Sequence, residues 1–181
     1  MENWEEILRK ENASKAFEQD NRKKVLYDKA RRLSNETISQ HYQPMARLLR
    51  VDEKLQSIRD NVWKAGSLSI VNDLVYYQNS SYNFIGNSRS SSEGYYLRYM
   101  HTLSTNGYSL GVGFSGEKSM RIEVVATPSL TGVDGYIKRF EVYTWQTENV
   151  AKLPHQFDVA LAEYCELMTR KGHLTKSGIV R

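Results

Sequence analysis

The stretch YMHTLSTNGYSLGVGF, residues 99–114, places Asn106-Gly107 between two segments of alternating apolar and small residues. Because this pair tolerates the positive φ angles of a type I′ turn, the stretch predicts a tight β-hairpin. With Thr105 opposite Tyr108, apolar residues meet on one face of both strands. A shift of one residue would destroy that agreement. The predicted pairs are Leu103 with Leu110, His101 with Val112 and Tyr99 with Phe114.

The sequence around this hairpin continues with strand-forming residues, punctuated by Gly, Asn and Ser. Pairing of Phe114 with Met120 would place Met120, Ile122 and Val124 on the same apolar face. The serine-rich segment Asn79 to Gly94 predicts a mobile loop. The predicted strands span residues 67–77, 82–85, 95–104, 108–114, 119–126 and 136–146.

The opposite face of the strand 108–114 carries Ser109, Gly111 and Gly113. Such a smooth face is either bare to water or allows a backbone, a helix or a ligand to approach closely.

Residues 2–64 contain no glycine and one proline, Pro44, and predict a helical region. Its first part has few apolar residues, and Asn35 is a candidate N-cap for a second segment. Beyond Pro44, five apolar residues follow helical spacing and form a narrow stripe. This stripe predicts either packing on the chain's own sheet, which we favour, or a coiled-coil homodimer. Its residues are Leu48, Val51, Leu55, Ile58 and Val62.

A final amphipathic helix is predicted after the sheet, with Pro154 in its first turn and Gly172 as its stop. Its apolar face comprises Phe157, Ala160, Leu161, Tyr164 and Met168. The predicted fold is therefore α+β: a long N-terminal helical region, an antiparallel meander of five or six strands and a C-terminal helix packed on the sheet. The expected domains are a helical arm partly packed on the sheet, 1–64, an α+β core, 65–173, and a flexible tail, 174–181.

The chain has 181 residues, of which 40% are hydrophobic and 25% are charged, as in ordinary globular domains. No apolar run is long enough to span a membrane, and the N-terminus lacks the apolar core of a secretion signal. A single cysteine, Cys165, excludes an intramolecular disulfide. We therefore expect a protein that is not secreted and has no membrane partner, located in the cytoplasm or nucleus.

Motifs for catalysis and cofactor binding are missing from the sequence. The four histidines are scattered, and there is no nucleotide-binding glycine loop or nucleophile elbow. Cys165 lies on the amphipathic helix and predicts a structural thiol, while His101 predicts a satisfied core histidine. We expect no metal, no cofactor and, on balance, no enzymatic activity.

Charge and aromatic residues favour a binding function. Residues 1–64 hold 14 Lys or Arg against 11 Asp or Glu, and the sheet region is rich in tyrosine. Cations can neutralise phosphates, and exposed aromatic rings can stack on bases. We therefore expect a non-catalytic binding protein whose partner is a nucleic acid or a nucleic-acid-associated protein. The candidate nucleic-acid-binding residues are Arg22, Lys23, Lys24, Arg31, Arg32, Tyr96, Arg98 and Arg121.

Two alternatives belong to other functional classes. The first is a structural or assembly protein that oligomerises through the stripe in residues 48–62. The second is a small-molecule binder or enzyme with a pocket between the sheet and the C-terminal helix, using His101 and Tyr99.

Overall fold

A computed structural model describes residues 4–83, 88–116, 119–128, 136–143 and 147–180. Among these, helix α1 covers Trp4–Thr37 and continues through a π-helical turn, Ile38–Tyr42, into α2, Gln43–Leu48. Helix α3, Val51–Ser57, continues into a second π-helical segment, Ile58–Trp63. The strands are β1, Ser67–Asn83; β2, Ser88–Thr105; β3, Tyr108–Ser115; β4, Ser119–Thr127; and β5, Tyr136–Tyr143. Helix α4, Thr147–Arg170, precedes two short strands, β6, Leu174–Thr175, and β7, Gly178–Ile179.

The five long strands form one antiparallel sheet in the order β1-β2-β3-β4-β5, which confirms the predicted α+β meander. The β2–β3 hairpin has the predicted register, with Thr105 opposite Tyr108 and Tyr99 opposite Phe114. Gly107 has a φ of 88°, as the tight turn requires. The local turn chemistry thus determines the pairing at the centre of the sheet.

The next pairing differs from the prediction, because Phe114 lies opposite Ile122 and not Met120. A shift of two residues keeps the same side chains on the same face, so alternation could not separate the two registers. Met120, Ile122 and Val124 are accordingly all buried, as expected.

Three predicted boundaries were also wrong. Strands β1 and β2 extend through most of the expected loop Asn79 to Gly94, because backbone pairing tolerates its serine-rich composition. Residues 84–87, which include part of the predicted strand 82–85, lie outside the described residues, as do 144–146 of the predicted strand 136–146.

The predicted helix boundaries differ as well. Asn35 is inside α1, which has no break there. Pro154 is not in the first turn but is the eighth residue of α4, where its missing N–H leaves one helical hydrogen bond unmade.

The smooth face of β3 is covered by a methionine. Gly111 and Gly113 are buried, and a Cβ atom at Gly111 would lie 2.6 Å from Sδ of Met100. The flexible thioether therefore fills the space that the two glycines leave on this face.

The chain forms two compact units. The first comprises residues 1–36 and 74–97, and the second comprises residues 37–73 and 98–181. In the second unit, the apolar face of α4 is buried and α4 contacts β5. Helix α4 ends at a Schellman motif, in which the amide of His173 donates to the carbonyl of Met168 and Gly172 has a φ of 76°.

Candidate functional site

Helix α1 is joined to the strands of the first unit by an ion pair and a shared carboxylate. Nε of Arg22 lies 2.6 Å from Oε1 of Glu93. The hydroxyl of Tyr76 donates to Oε2 of the same carboxylate over 2.8 Å. This hydrogen bond to an ionised carboxylate raises the pKa of the Tyr76 phenol. Glu93 therefore connects α1, β1 and β2.

Aromatic contacts continue this attachment along the helix. Nζ of Lys23 lies 5.2 Å from the centre of the Tyr76 ring, within the range of a cation–π interaction. The Tyr27 ring meets the Tyr95 ring edge-on, with 5.4 Å between their centres, and Tyr76 also packs against Tyr95. Two predicted phosphate ligands, Arg22 and Lys23, thus interact with the strands of their own unit.

The other three predicted cations of α1 are exposed. Among the side chains that the structure describes, no ion pair involves Lys24, Arg31 or Arg32. Lys24 and Arg31 are seven residues apart and therefore lie two helical turns apart on the same side of α1. We call Lys24, Arg31 and Arg32 the outer basic face.

The predicted cations on the sheet face carboxylates. Arg98 forms a bidentate pair with Asp73, with contacts of 2.9 and 2.6 Å, and hydrogen bonding to Arg98 lowers the pKa of Asp73. Nη2 of Arg121 lies 3.4 Å from Oε1 of Glu141. Both pairs are exposed, and each neutralises a predicted phosphate contact.

Tyr96 is 50% exposed and lies on the other side of the strands of its unit from α1. Successive strand residues point to opposite faces, and its neighbour Tyr95 contacts Tyr27 of α1. The structure therefore does not bring Tyr96 and the outer basic face together on one surface.

The predicted oligomerisation stripe is interrupted between α2 and α3, where Arg50 has a φ of 53°. Val51, Leu55 and Ile58 are buried within the second unit, Val62 is half-buried and Leu48 is 46% exposed. The stripe is thus divided between two helices, and most of its apolar surface is covered by the chain itself.

His101 is buried, as its register predicts, and it has two hydrogen-bond partners. Nδ1 lies 2.6 Å from Oδ1 of Asp52, and Nε2 lies 3.2 Å from the hydroxyl of Tyr99. Burial and the nearby charge of Asp52 raise the pKa of Tyr99.

The His101 and Tyr99 side chains line a cleft of about 270 Å³ beside α2 and α3. Asp52 was missed by sequence reasoning, because it is 49 positions from His101 and only the tertiary fold joins them. The available signal was that Asp52 directly follows Val51 of the apolar stripe, at the start of α3.

The thiol of Cys165 is half-buried, and burial raises its pKa. A thiol with a raised pKa has a smaller thiolate fraction and is a poor nucleophile.

The described residues contain no group of three His, Cys, Asp or Glu side chains that could hold a metal ion. None of the helices in the described part of the chain is long and apolar enough to cross a membrane.

Comparison with known proteins gave no match to a family model, to a curated protein or to a solved structure. The arguments below therefore rest on the geometry of this chain.

Proposed function

We propose that this protein is a non-catalytic binding protein that holds nucleic acid through the phosphates, using the outer basic face of α1. The observation that supports this proposal is the exposure of Lys24, Arg31 and Arg32, none of which forms an ion pair with a described side chain. An intracellular location, cytoplasmic or nuclear, is part of the proposal.

The two sides of α1 have different roles in this proposal. Arg22 and Lys23 interact with Glu93 and Tyr76, and so they hold the helix on its strands. The outer cations then face solvent on a supported helix, with about 10 Å along the axis between residues 24 and 31. Binding of phosphates there releases condensed counterions, which favours association at low salt.

Recognition through this face would depend little on base sequence. The Tyr95 ring packs against both Tyr27 and Tyr76, and these contacts occupy part of the ring surface that could stack on bases. Phosphate contacts alone position a nucleic acid but carry no direct sequence information. We therefore expect similar affinities for unrelated duplex sequences.

The first test measures binding of fluorescent duplex DNA by anisotropy across a salt series. Reversal of three charges, Lys24→Glu with Arg31→Glu and Arg32→Glu, should weaken binding at least tenfold. It should also reduce the salt slope by about 2.7, since each phosphate contact contributes about 0.9. Tyr96→Ala should change the affinity less than twofold, because Tyr96 lies on the opposite face.

The matched control reverses three exposed cations of the second unit, Lys152, Arg170 and Lys171, and so changes the net charge equally. It should retain most of the affinity and the salt slope of the unmodified chain. If both triple variants lost the same affinity for DNA, the loss would follow from the change in net charge alone. That result would contradict a binding site on α1. Binding that does not respond to salt would contradict phosphate recognition altogether.

A further inference from the structure

We propose that α1 is a self-association surface, on which a second copy of this chain packs its own α1 in the antiparallel direction. The contact is centred on Asn21. The proposal does not rest on nucleic-acid binding, and its surface is separate from the apolar stripe in residues 48–62.

The outward side of α1 carries two large apolar side chains that the chain itself leaves uncovered. Phe17 is 68% exposed and Val25 is 67% exposed, more than any other large hydrophobic side chain in the described part of the chain. Lys23 and Leu26 are half-buried and mark the side that faces the strands of the first unit. With 3.6 residues per turn, Phe17, Asn21 and Val25 lie on the opposite side, and about 12 Å along the axis separates Phe17 from Val25.

The two apolar side chains are placed symmetrically about Asn21, four residues before it and four residues after it. When two copies of α1 run antiparallel about a two-fold axis at Asn21, residues at equal distances before and after Asn21 are level with each other. Phe17 of each copy is then level with Val25 of the other. Each copy thus covers the apolar side chains that the other leaves in water, and their removal from water favours association.

The charges along α1 select the second copy as the partner and determine its direction. Residues 5–21 hold five acidic and three basic side chains, whereas residues 22–32 hold one acidic and six basic. A parallel pair would set the two cationic segments side by side, which is repulsive. In the antiparallel pair, the cationic segment of each copy lies beside the acidic segment of the other. The helix is therefore complementary to itself in one direction only.

The exposed charges nearest the axis agree with the antiparallel direction. Asp20 and Lys24 are exposed, and neither forms an ion pair with a described side chain. They are one helical turn apart and lie along the same edge of the outward side. On that edge, Asp20 of one copy comes near Lys24 of the other, on both sides of the axis. Opposite charges that flank the contact between paired helices set their orientation.

The first experiment is analytical ultracentrifugation of the full chain over a concentration series at low salt, without nucleic acid. The unmodified chain should pass reversibly from monomer to dimer in the micromolar range. Phe17→Ser with Val25→Ser should raise the dissociation constant at least tenfold, because the apolar contacts are lost. Both positions are exposed, so the variant should keep the fold, which circular dichroism checks. Val159→Ser replaces an exposed valine of α4 and should leave the dissociation constant unchanged.

Self-association and the proposed nucleic-acid binding share Lys24, so a second copy and a phosphate compete for this side chain. Phe17→Ser with Val25→Ser changes no charge. This variant should therefore lose the dimer but keep the DNA affinity of the monomer. The two proposals can thus fail separately, because one is read from the sedimentation of the chain alone and the other from DNA anisotropy.

Disulfide cross-linking determines the direction of the two helices. With Cys165→Ser as the background, Asn21→Cys lies at the axis and should form a disulfide with its own copy. Ser14→Cys is two helical turns from the axis, so about 21 Å along the helices separates it from its equivalent in the antiparallel dimer, and it should not cross-link. Ser14 is instead level with Asp28 of the other copy. A mixture of Ser14→Cys and Asp28→Cys chains should therefore cross-link to each other.

The outcomes decide the proposal in either direction. A chain that stays monomeric at all concentrations, or a dimer that Phe17→Ser with Val25→Ser leaves intact, would overturn it. Equal self-cross-linking of Ser14→Cys and Asn21→Cys would indicate parallel helices and would overturn it as well. Self-cross-linking of Asn21→Cys alone, together with loss of the dimer in the apolar variant, would support an antiparallel contact at this position.

Discussion

Glycines 172 and 178 both have a positive φ angle but have different surroundings. Their φ angles are 76° and 116°, a region that disfavours side chains. A Cβ atom at Gly172 would have no neighbour within 4 Å, whereas one at Gly178 would lie 2.5 Å from the carbonyl oxygen of Trp63. A side chain at Gly172 would therefore meet backbone strain alone, whereas one at Gly178 would meet backbone strain and a steric clash.

We predict that Gly172→Ala lowers the free energy of unfolding by about 1 kcal/mol, the cost of a left-handed alanine. Gly178→Ala should lower it by a further 1–3 kcal/mol or more, because β7 must move away from Trp63. Urea denaturation of both variants measures the difference. If both variants lost the same free energy of unfolding, the backbone near Trp63 would have to move aside at no energetic cost.

Residue-scale reasoning from sequence succeeded where the determining contact was local. Asn106-Gly107 requires a particular turn, and the turn determines the register of β2 and β3. It failed for the hydrogen bond between Asp52 and His101, because no local spacing relates those two residues. The pairing of Arg98 with Asp73 was missed for the same reason.

At the scale of elements, the break between α2 and α3 divides the apolar stripe into exposed and buried parts. Leu48, at the end of α2, is 46% exposed, while Leu55, in the middle of α3, is 1% exposed. The two leucines were equivalent in the sequence pattern. The tertiary fold makes one a core residue and leaves the other on the surface.

We predict that Leu55→Ala lowers the free energy of unfolding by about 2–5 kcal/mol, through lost burial and a new cavity. Leu48→Ala should change it by less than about 0.5 kcal/mol, as at other surface positions. Chemical denaturation compares the two. The assembly hypothesis is then better tested with Leu48→Asp in sedimentation experiments, since Leu55→Asp would unfold the chain before it could report on association.

Element boundaries were less predictable than element types. The long strands β1 and β2 pass through a serine-rich segment, where composition indicates a loop but backbone pairing decides the structure. Helix α4 begins seven residues before Pro154, although an interior proline lacks the N–H of a helical hydrogen bond. In both cases the sequence signal was present, but the rest of the element outweighed it.

At the scale of the whole molecule, the two units differ in how much apolar surface they bury. All the hydrophobic side chains that are buried within the described part of the chain belong to the second unit. The first unit relies on half-buried rings and an ion pair. Regions with few buried apolar contacts open at low free-energy cost.

Hydrogen exchange should reveal this difference. Backbone amides in residues 9–36 should exchange through local openings that respond weakly to denaturant, whereas amides in β3 and β4 should require global unfolding. The measurement is native-state exchange at increasing urea concentrations, read by NMR. A single opening free energy and a single denaturant slope for both regions would contradict the prediction.

Within residues 9–36, only Lys23, Leu26, Ala30 and Ser34 are half-buried, and the rest are exposed. Apart from Arg22 and Tyr27, which contact the strands of their unit, substitution at the exposed positions costs little stability. Folding therefore places almost no restriction on how the rest of this surface changes over evolutionary time. A position on the outward side of α1 that nevertheless remains constant between orthologous chains would be held there by selection for contact with another molecule.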